Sequence, residues 1–234
     1  MQTKIRVTGD GSHTLYVPEI DECYHSAHGA VQESMHIFIN AGLHVFLSAG
    51  KPGRFEADAG TMKEKDRVKV LETGFGTGLN VYLTLSEAER LKTAIHYTSL
   101  ELYPLAAEEA LRLNYPEILH ADRRLFEKIH LSPWEEDVDI TPYFTLHKVK
   151  VDFTAYEPTE VFDVVYFDAF SPEKQPELWS EDGFGKIYAH SGSGAVLTTY
   201  CAKGAVRRML QSAGFVVERL PGPPGKREIL RGRK

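Results

Sequence analysis

The chain has 234 residues, of which 42% are hydrophobic and 26% charged, so it can bury one core with a small appendage. The sequence has no apolar run of about eighteen residues and no signal-peptide layout, and its two cysteines are too few for a disulfide framework or a zinc site, so we expect a cytoplasmic protein. The net charge of −6 argues against indiscriminate nucleic-acid binding.

The first predicted elements form an N-terminal extension over residues 1–67. Residues 4–7 and 14–17, joined by a turn containing Gly and Asp, predict a β-hairpin. Residues 26–43 predict a helix, and a loop rich in Gly and Lys follows to about residue 67. We expect this extension to pack on a second unit, residues 68–234.

From residue 68 onward, strands and helices alternate. Strands are predicted at 68–71, 94–100, 143–151, 161–167, 195–200, 215–220 and 228–230, with helices at 79–91, 105–114, 122–129 and 204–213. This alternation predicts an α/β fold with a mostly parallel, doubly wound sheet, and the last two strands predict an antiparallel hairpin at one edge. Because ligands of such sheets bind beyond the carboxyl ends of the strands, the residues that end each strand are the candidates for function.

The segment 68–80, VKVLETGFGTGLN, combines a buried strand, a glycine-rich turn and the start of a helix. Gly74, Gly76 and Gly78 allow the backbone to turn sharply and approach a ligand, and the helix that follows presents free N–H groups. A GxGxG pattern alone also fits an ordinary tight turn. Its position between strand and helix favours a cradle for a nucleotide-sized ligand.

Two acids at the next strand ends fit a nucleoside. Glu101 can accept hydrogen bonds from both ribose hydroxyls, and Asp152 can accept one from an adenine amino group. NAD and S-adenosylmethionine both fit this much. The loop favours S-adenosylmethionine, because it lacks the GxGxxG spacing that seats a pyrophosphate, and because Glu72 can face the cationic amino-acid end of the ligand.

The segment 161–179, VFDVVYFDAFSPEKQPELW, places Asp168 at the end of an apolar strand, ahead of a turn at Ser171 and Pro172. An acid here can orient an amine and accept its proton, while alignment does most of the catalysis of methyl transfer. The alternative is that Asp168 only caps a helix.

Several motifs together resemble the tRNA 5-methylaminomethyl-2-thiouridine methyltransferases, the MnmC-like family. They are ETGFGTGLN, TSLE, YFDAFSPEKQPELW, the closing AKGAVRRMLQSAGFVVERLPGPPGKREIL, and the N-terminal residues from Tyr24 to His36. The resemblance covers nearly the whole chain. It implies a Rossmann-like class I methyltransferase that uses S-adenosylmethionine to methylate the aminomethyl nitrogen of 5-aminomethyl-(2-thio)uridine at the tRNA wobble position.

The resemblance also implies roles for single residues. It assigns Asp168 to the aminomethyl group and five residues to the cofactor, namely Gly74, Gly76, Gly78, Glu101 and Asp152. Glu72 and Asn80, beside the glycines, are further candidates for cofactor binding. Longer members of the family carry a flavin-dependent oxidase domain. This sequence ends at Lys234 without one, so we expect methylation alone, with the aminomethyl precursor supplied by a separate enzyme.

From Lys203 onward the charge is +7, against −13 for the rest of the chain. Arg207, Arg208, Lys226 and Arg227 are therefore candidate phosphate contacts for tRNA, although a solvated basic end is the alternative. Tyr24, Phe170 and Trp179 are candidate stacking surfaces for an anticodon base, or core residues. We predict no metal site, because the histidines at 25, 28 and 36 lack a suitable partner.

Two other functions fit the same sequence. A class I methyltransferase acting on a small-molecule amine would share the fold and Asp168, but has no need of a basic tail. A non-catalytic binding module would share the fold alone, and the presence of Glu101, Asp152 and Asp168 argues against it.

Overall fold

The computed structural model describes residues 2–50 and 67–234. A small antiparallel sheet lies at the N-terminus, in the order β1 (Lys4–Val7), β2 (His13–Val17) and β3 (Glu22–Cys23). The predicted hairpin is confirmed, and β3 adds a short strand that the sequence did not predict.

The helix predicted at 26–43 is correct in the middle and wrong at both ends. Helix α1 (Ala30–Ser34) continues as a π-helical segment (Met35–Leu43) and then as α2 (His44–Ala49). Side chains of the hairpin turn set the later start, since Asp10 accepts from the Gln32 N–H at 2.9 Å and Ser12 from the Ala30 N–H at 3.2 Å. Residues 44–49 were predicted as loop, but Phe46 anchors them in the core. The rest of that loop, residues 51–66, lies outside the described residues.

The main sheet has eight strands, in the order β10-β11-β9-β8-β4-β5-β7-β6. The strands are β4 (Val68–Thr73), β5 (Ile95–Glu101), β6 (Asp137–Thr141), β7 (Phe144–Lys150), β8 (Phe162–Phe167), β9 (Ser191–Thr199), β10 (Val216–Pro221) and β11 (Glu228–Arg233). Strands β9, β8, β4, β5 and β7 are parallel, and the β10–β11 hairpin closes one edge. The predicted doubly wound sheet and its edge hairpin are confirmed.

Strand β6 forms the other edge and was not predicted. It pairs antiparallel with β7, and its exposed Asp137 and Asp139 alternate with Val138 and Ile140, which pack on the core. Acidic side chains suit an edge strand, because they discourage pairing with another chain.

The helices that connect the strands are α3 (Leu79–Leu91), α4 (Ala107–Ala110), α5 (Tyr115–Leu119), α6 (Arg123–Leu131), α7 (Glu181–Ala189) and α8 (Gly204–Ser212), with 3-10 turns at Phe153–Ala155 and Pro176–Leu178. The helix predicted at 105–114 is reduced to α4, because Asn114 binds the N-terminal sheet instead, accepting from the His13 N–H at 2.7 Å. Helix α7 was missed, since its two glycines argue against a helix, whereas buried Phe184 and Ile187 hold it.

The core lies on both faces of the sheet. Along β4, Val70 packs against the face that carries α3 and the π-helical segment, while Leu71 packs in the second cluster with Phe184 of α7 and Leu210 of α8. Strand order reverses between β4 and β8, so their carboxyl ends form the crevice in which ligands of doubly wound sheets bind.

Candidate active site

A cavity of about 600 Å³ opens where β4, β5, β7 and β8 end, and residues 20–27 of the N-terminal segment form its outer wall. Its size is that of a small-molecule site. Nine of the predicted site residues line it, namely Tyr24, Gly74, Gly76, Asn80, Glu101, Asp152, Asp168, Phe170 and Lys226. The other predicted residues do not, namely Glu72, Gly78, Ser171, Pro172, Arg207, Arg208 and Arg227.

The glycine loop follows β4 and is packed too closely for side chains. Gly74 has φ +96°, and a Cβ there would lie 2.9 Å from the Asp168 carbonyl oxygen. Gly76 has φ +50°, and a Cβ would lie 2.9 Å from the ring of Tyr24. Gly78 precedes α3 and donates to the Phe75 carbonyl at 2.9 Å. The loop therefore brings bare backbone to the cavity wall, where a ligand can approach it.

Two carboxylates lie at the ends of β5 and β7. Glu101 accepts from the Gly76 N–H at 3.0 Å with Oε2 and from the Tyr103 N–H at 2.9 Å with Oε1. Asp152 uses Oδ1 to accept from the Thr154 N–H at 2.8 Å and from its hydroxyl at 2.7 Å. Backbone groups thus fix both carboxylates at the cavity, and each oxygen of Glu101 keeps a lone pair for a ligand.

Glu72 and Asp168 each form a hydrogen bond with a neighbouring polar side chain near the glycine loop. Asn80 donates from Nδ2 to Asp168 Oδ2 at 2.8 Å, and Ser99 donates to Glu72 Oε2 at 2.5 Å. Burial raises the pKa of Glu72 to about 8, and burial together with the charge of Glu72 holds the pKa of Asp168 well above its usual range. Among the described residues, Glu72 Oε1 and Asn80 Oδ1 are buried without a hydrogen-bond partner. Of the two, Asn80 lines the cavity, so its Oδ1 suits a ligand that brings N–H groups or positive charge, whereas Glu72 does not line it.

We expect the effect of Glu72→Gln on the free energy of unfolding to become more stabilising between pH 4.5 and pH 8. The folded pKa near 8 exceeds the ordinary 4.5, so the contribution of Glu72 to stability is complete below pH 4.5 and is lost as the pH rises toward 8. The loss is about 1.4 kcal/mol for each pH unit in that interval, and glutamine does not ionise. Urea unfolding of both proteins across this range measures the difference. A pH-independent difference would contradict a buried, protonated Glu72.

The outer wall of the cavity contains some residues that the sequence motifs identified and others that they did not. Tyr24 packs edge-on against Phe170, with ring centroids 5.0 Å apart, and Ser171 donates to Glu22 Oε2 at 3.1 Å. Tyr200, directly after β9, also lines the cavity and donates to the Ala169 carbonyl at 2.9 Å. No motif singled out Glu22 or Tyr200, because each is brought to the cavity by tertiary structure alone.

His25 has a structural place in the same wall. Its Nε2 lies 2.7 Å from the Thr77 hydroxyl, and burial lowers its pKa to about 4. The ring is therefore neutral at physiological pH. Among the described residues, no group of three His, Cys, Asp or Glu is arranged to hold a metal ion.

The basic C-terminal region carries less free charge than its sum suggests. Five of its cations pair with carboxylates, in the pairs Lys203–Glu173, Arg219–Glu228, Lys226–Glu33, Arg231–Glu218 and Arg233–Glu218. Within the described residues, Arg207, Arg208 and Arg227 form no ion pair. Trp179 is buried in the core, so it presents no surface for stacking on a base. In the described part of the chain, no helix is long and apolar enough to cross a membrane.

Comparisons with known proteins give a consistent result. A family model described as S-adenosyl-L-methionine-dependent methyltransferase matches residues 123–234. The tRNA 5-methylaminomethyl-2-thiouridine biosynthesis bifunctional protein MnmC of Cupriavidus metallidurans is 31% identical, over 95% of this chain and 32% of its own length. The protein of that name from Marinobacter nauticus is 31% identical, over 93% of this chain and 35% of its own. The chain thus spans about a third of the length of the curated relatives it matches.

Solved structures extend the similarity to the fold. MNMC2 of Aquifex aeolicus has a TM-score of 0.74 and 26% identity, covering 99% of this chain and 70% of that one. Spermidine synthase of Thermotoga maritima has a TM-score of 0.56 at 12% identity, covering 100% of this chain and 72% of its own, and shares the fold alone. The predicted class I fold and the resemblance to the MnmC-like proteins are confirmed.

Proposed function

We propose that this chain is an S-adenosyl-L-methionine-dependent methyltransferase and that it methylates the aminomethyl nitrogen of 5-aminomethyl-(2-thio)uridine at the wobble position of tRNA. Asp168 carries the proposal. It lies at the end of β8, half-buried beside the glycine loop and held by Asn80, in the same cavity as Glu101. The names of the MnmC relatives support the choice of a modified tRNA uridine as acceptor.

The cavity residues fit S-adenosylmethionine, which supplies a methyl group on a positively charged sulfur when it is bound. Glu101 has lone pairs for the ribose hydroxyls, and Asp152 Oδ2 is left for the adenine amino group. Asn80 lines the cavity, and its unpartnered Oδ1 suits the ammonium of the methionine part, whereas Glu72 lies behind the cavity wall. Bare backbone at Gly74 and Gly76 permits close approach of the ligand.

Asp168 would act on the acceptor amine. The amine attacks with its lone pair and must therefore be neutral, and the new N–C bond forms as the C–S bond breaks. Asn80 occupies Oδ2 of Asp168, which leaves Oδ1 for an N–H of the amine. Positive charge in the cavity favours the ionised carboxylate, which can then orient the amine and accept the proton that it loses.

Transfer of labelled methyl groups tests this function. The protein is incubated with methyl-labelled S-adenosylmethionine and tRNA from cells that cannot complete the wobble modification, and the tRNA is digested to nucleosides. We expect the label in 5-methylaminomethyl-(2-thio)uridine. Label only in small amines would indicate a small-molecule methyltransferase, and no cofactor binding by calorimetry would indicate a binding module.

The proposed acceptor is a uridine that carries a free aminomethyl group. Because the substrate is tRNA, we also expect the protein to act in the cytoplasm.

We expect the triple variant Arg207→Ala, Arg208→Ala and Arg227→Ala to weaken tRNA binding and reduce its salt dependence. These cations form no ion pair within the described residues, so no carboxylate of those residues offsets their attraction to phosphates. For every phosphate that the protein no longer neutralises, the slope of log affinity against log salt should fall by roughly 0.7–0.9. Binding titrations at several salt concentrations measure the slope.

The matched control is Arg219→Ala, because Arg219 pairs with a carboxylate of its own, Glu228, at 3.7 Å. Its slope should equal that of the wild type. If the triple variant also keeps the wild-type slope, the RNA docks on another face.

A further inference from the structure

Lys226 occupies a different place from the one its sequence predicts. It lies in the turn between β10 and β11, where a basic pair suggests a phosphate contact on the surface. In the structure its side chain is only 28% exposed, and Nζ lies 3.3 Å from Glu33 Oε1. Lys226 lines the same cavity as Asp168, whereas its neighbour Arg227 does not.

Two residues hold Lys226 at the cavity. The Glu33 side chain is 10% exposed, and its Oε2 accepts from the Ser26 N–H at 2.8 Å. The Glu33 carboxylate is therefore fixed in place and holds Lys226 at the cavity. On the other side, Nζ lies 4.6 Å from the ring centroid of Tyr200, whose hydroxyl is fixed on the Ala169 carbonyl. An ammonium has three N–H donors. The ion pair with Glu33 leaves donors of Lys226 for a ligand.

The acceptor base presents an oxygen close to its amine. In a 5-aminomethyluracil, the C4 carbonyl is bonded to the ring carbon that carries the aminomethyl arm. A base that offers its amine to Asp168 therefore presents O4 at the same edge. Ionised Glu22 and Glu33 cannot donate to that oxygen. Two of the described lining residues are lysines and none is an arginine, the two being Lys174 and Lys226. Lys174 is exposed on the loop that follows β8.

Resting on the proposed function, we infer that Lys226 donates a hydrogen bond to the O4 carbonyl of the acceptor uracil and thereby aligns the aminomethyl nitrogen with Asp168. A charged donor at this place also discriminates between bases, since cytosine carries an amino group, itself a donor, at C4. Lys226 is then a specificity-determining residue of the acceptor side. Glu33 and Tyr200 position it.

The variant Lys226→Met tests the inference on the full chain. With tRNA bearing the aminomethyl group, we expect kcat to fall by about 10- to 100-fold, the effect of losing a hydrogen bond from a charged group. The Kd for S-adenosylmethionine and the salt slope of tRNA binding should stay near the wild-type values. The matched control is Arg219→Met, which removes the same charge from the same hairpin at an exposed site on β10.

A synthetic anticodon stem–loop supplies a readout that a structural role would not move. Sulfur in place of oxygen at position 4 of its 5-aminomethyluridine is a weaker hydrogen-bond acceptor. Wild-type turnover should therefore fall on the sulfur substrate. The turnover of Lys226→Met should fall little further, because the donor is already absent. If Lys226→Met lowers only tRNA affinity and its salt slope, Lys226 is a phosphate contact and the inference is wrong. Normal turnover in Lys226→Met, or an equal loss from sulfur in both proteins, overturns it too. If the wild type methylates no wobble uridine, the proposed function itself fails.

Discussion

Asp168→Asn should lower kcat for methyl transfer by about 10²- to 10⁴-fold, the range for loss of a group that handles the proton. The substitution keeps the shape of the side chain, and its amide oxygen can still accept the bond from Asn80 Nδ2. It cannot accept the proton of the amine. Because the proposed function places Asp168 against the acceptor rather than the cofactor, the Kd for S-adenosylmethionine should change by less than about threefold. Single-turnover assays and calorimetry measure the two effects.

Glu22→Gln is the matched control for this result. Glu22 is a second carboxylate lining the same cavity, but Ser171 already donates to it at 3.1 Å. Glu22→Gln removes this charge and should lower kcat far less than Asp168→Asn does. If Asp168→Asn turns over at nearly the wild-type rate, Asp168 serves only as a structural acceptor for Asn80, and the proposed acceptor site loses its central group.

The parts of the fold that the sequence predicted correctly are those with strong periodicity. Strand β8 is a nearly continuous apolar run, and β4 carries apolar residues at Val68, Val70 and Leu71, because both faces of the sheet are buried. Helix α3 runs over 13 residues, of which the first seven are all buried. The failures lie where tertiary contacts override local preference. Helix α7 contains two glycines yet is held by buried side chains. Edge strand β6 has only five residues, so the alternation of its two acids with Val138 and Ile140 is a weak signal.

The candidate site divides in the same way. Residues that end strands, such as Glu101 and Asp168, could be located because the parallel sheet places its carboxyl ends together. Glu22 and Tyr200 could not, since they reach the cavity from elements far apart in the sequence. The surroundings of the basic residues near the C-terminus could not be predicted for the same reason. Lys226 and Arg233 contribute equally to the net charge. In the fold, Lys226 is half-buried beside Glu33, whereas Arg233 pairs with Glu218.

Glu101→Ala should weaken S-adenosylmethionine binding by roughly 10- to 100-fold, the effect of losing hydrogen bonds to a charged group of about 1.5–3 kcal/mol. The carboxylate serves the cavity twice. It holds the glycine loop through the Gly76 N–H and the next loop through the Tyr103 N–H. In the proposed function, its remaining lone pairs accept hydrogen bonds from the two ribose hydroxyls. Calorimetry gives the Kd, and thermal unfolding of the variant shows whether the fold is kept.

The ribose assignment has a sharper test than affinity alone. The wild type should bind S-adenosylhomocysteine much more tightly than its 2′,3′-dideoxy analogue, because the analogue leaves the lone pairs of Glu101 without donors. In Glu101→Ala the two ligands should bind with nearly equal affinity, since the group that distinguishes them is gone. If the variant still prefers the ligand with hydroxyls to the wild-type extent, another residue binds the ribose. Glu101 would then act only by holding the loops at Gly76 and Tyr103.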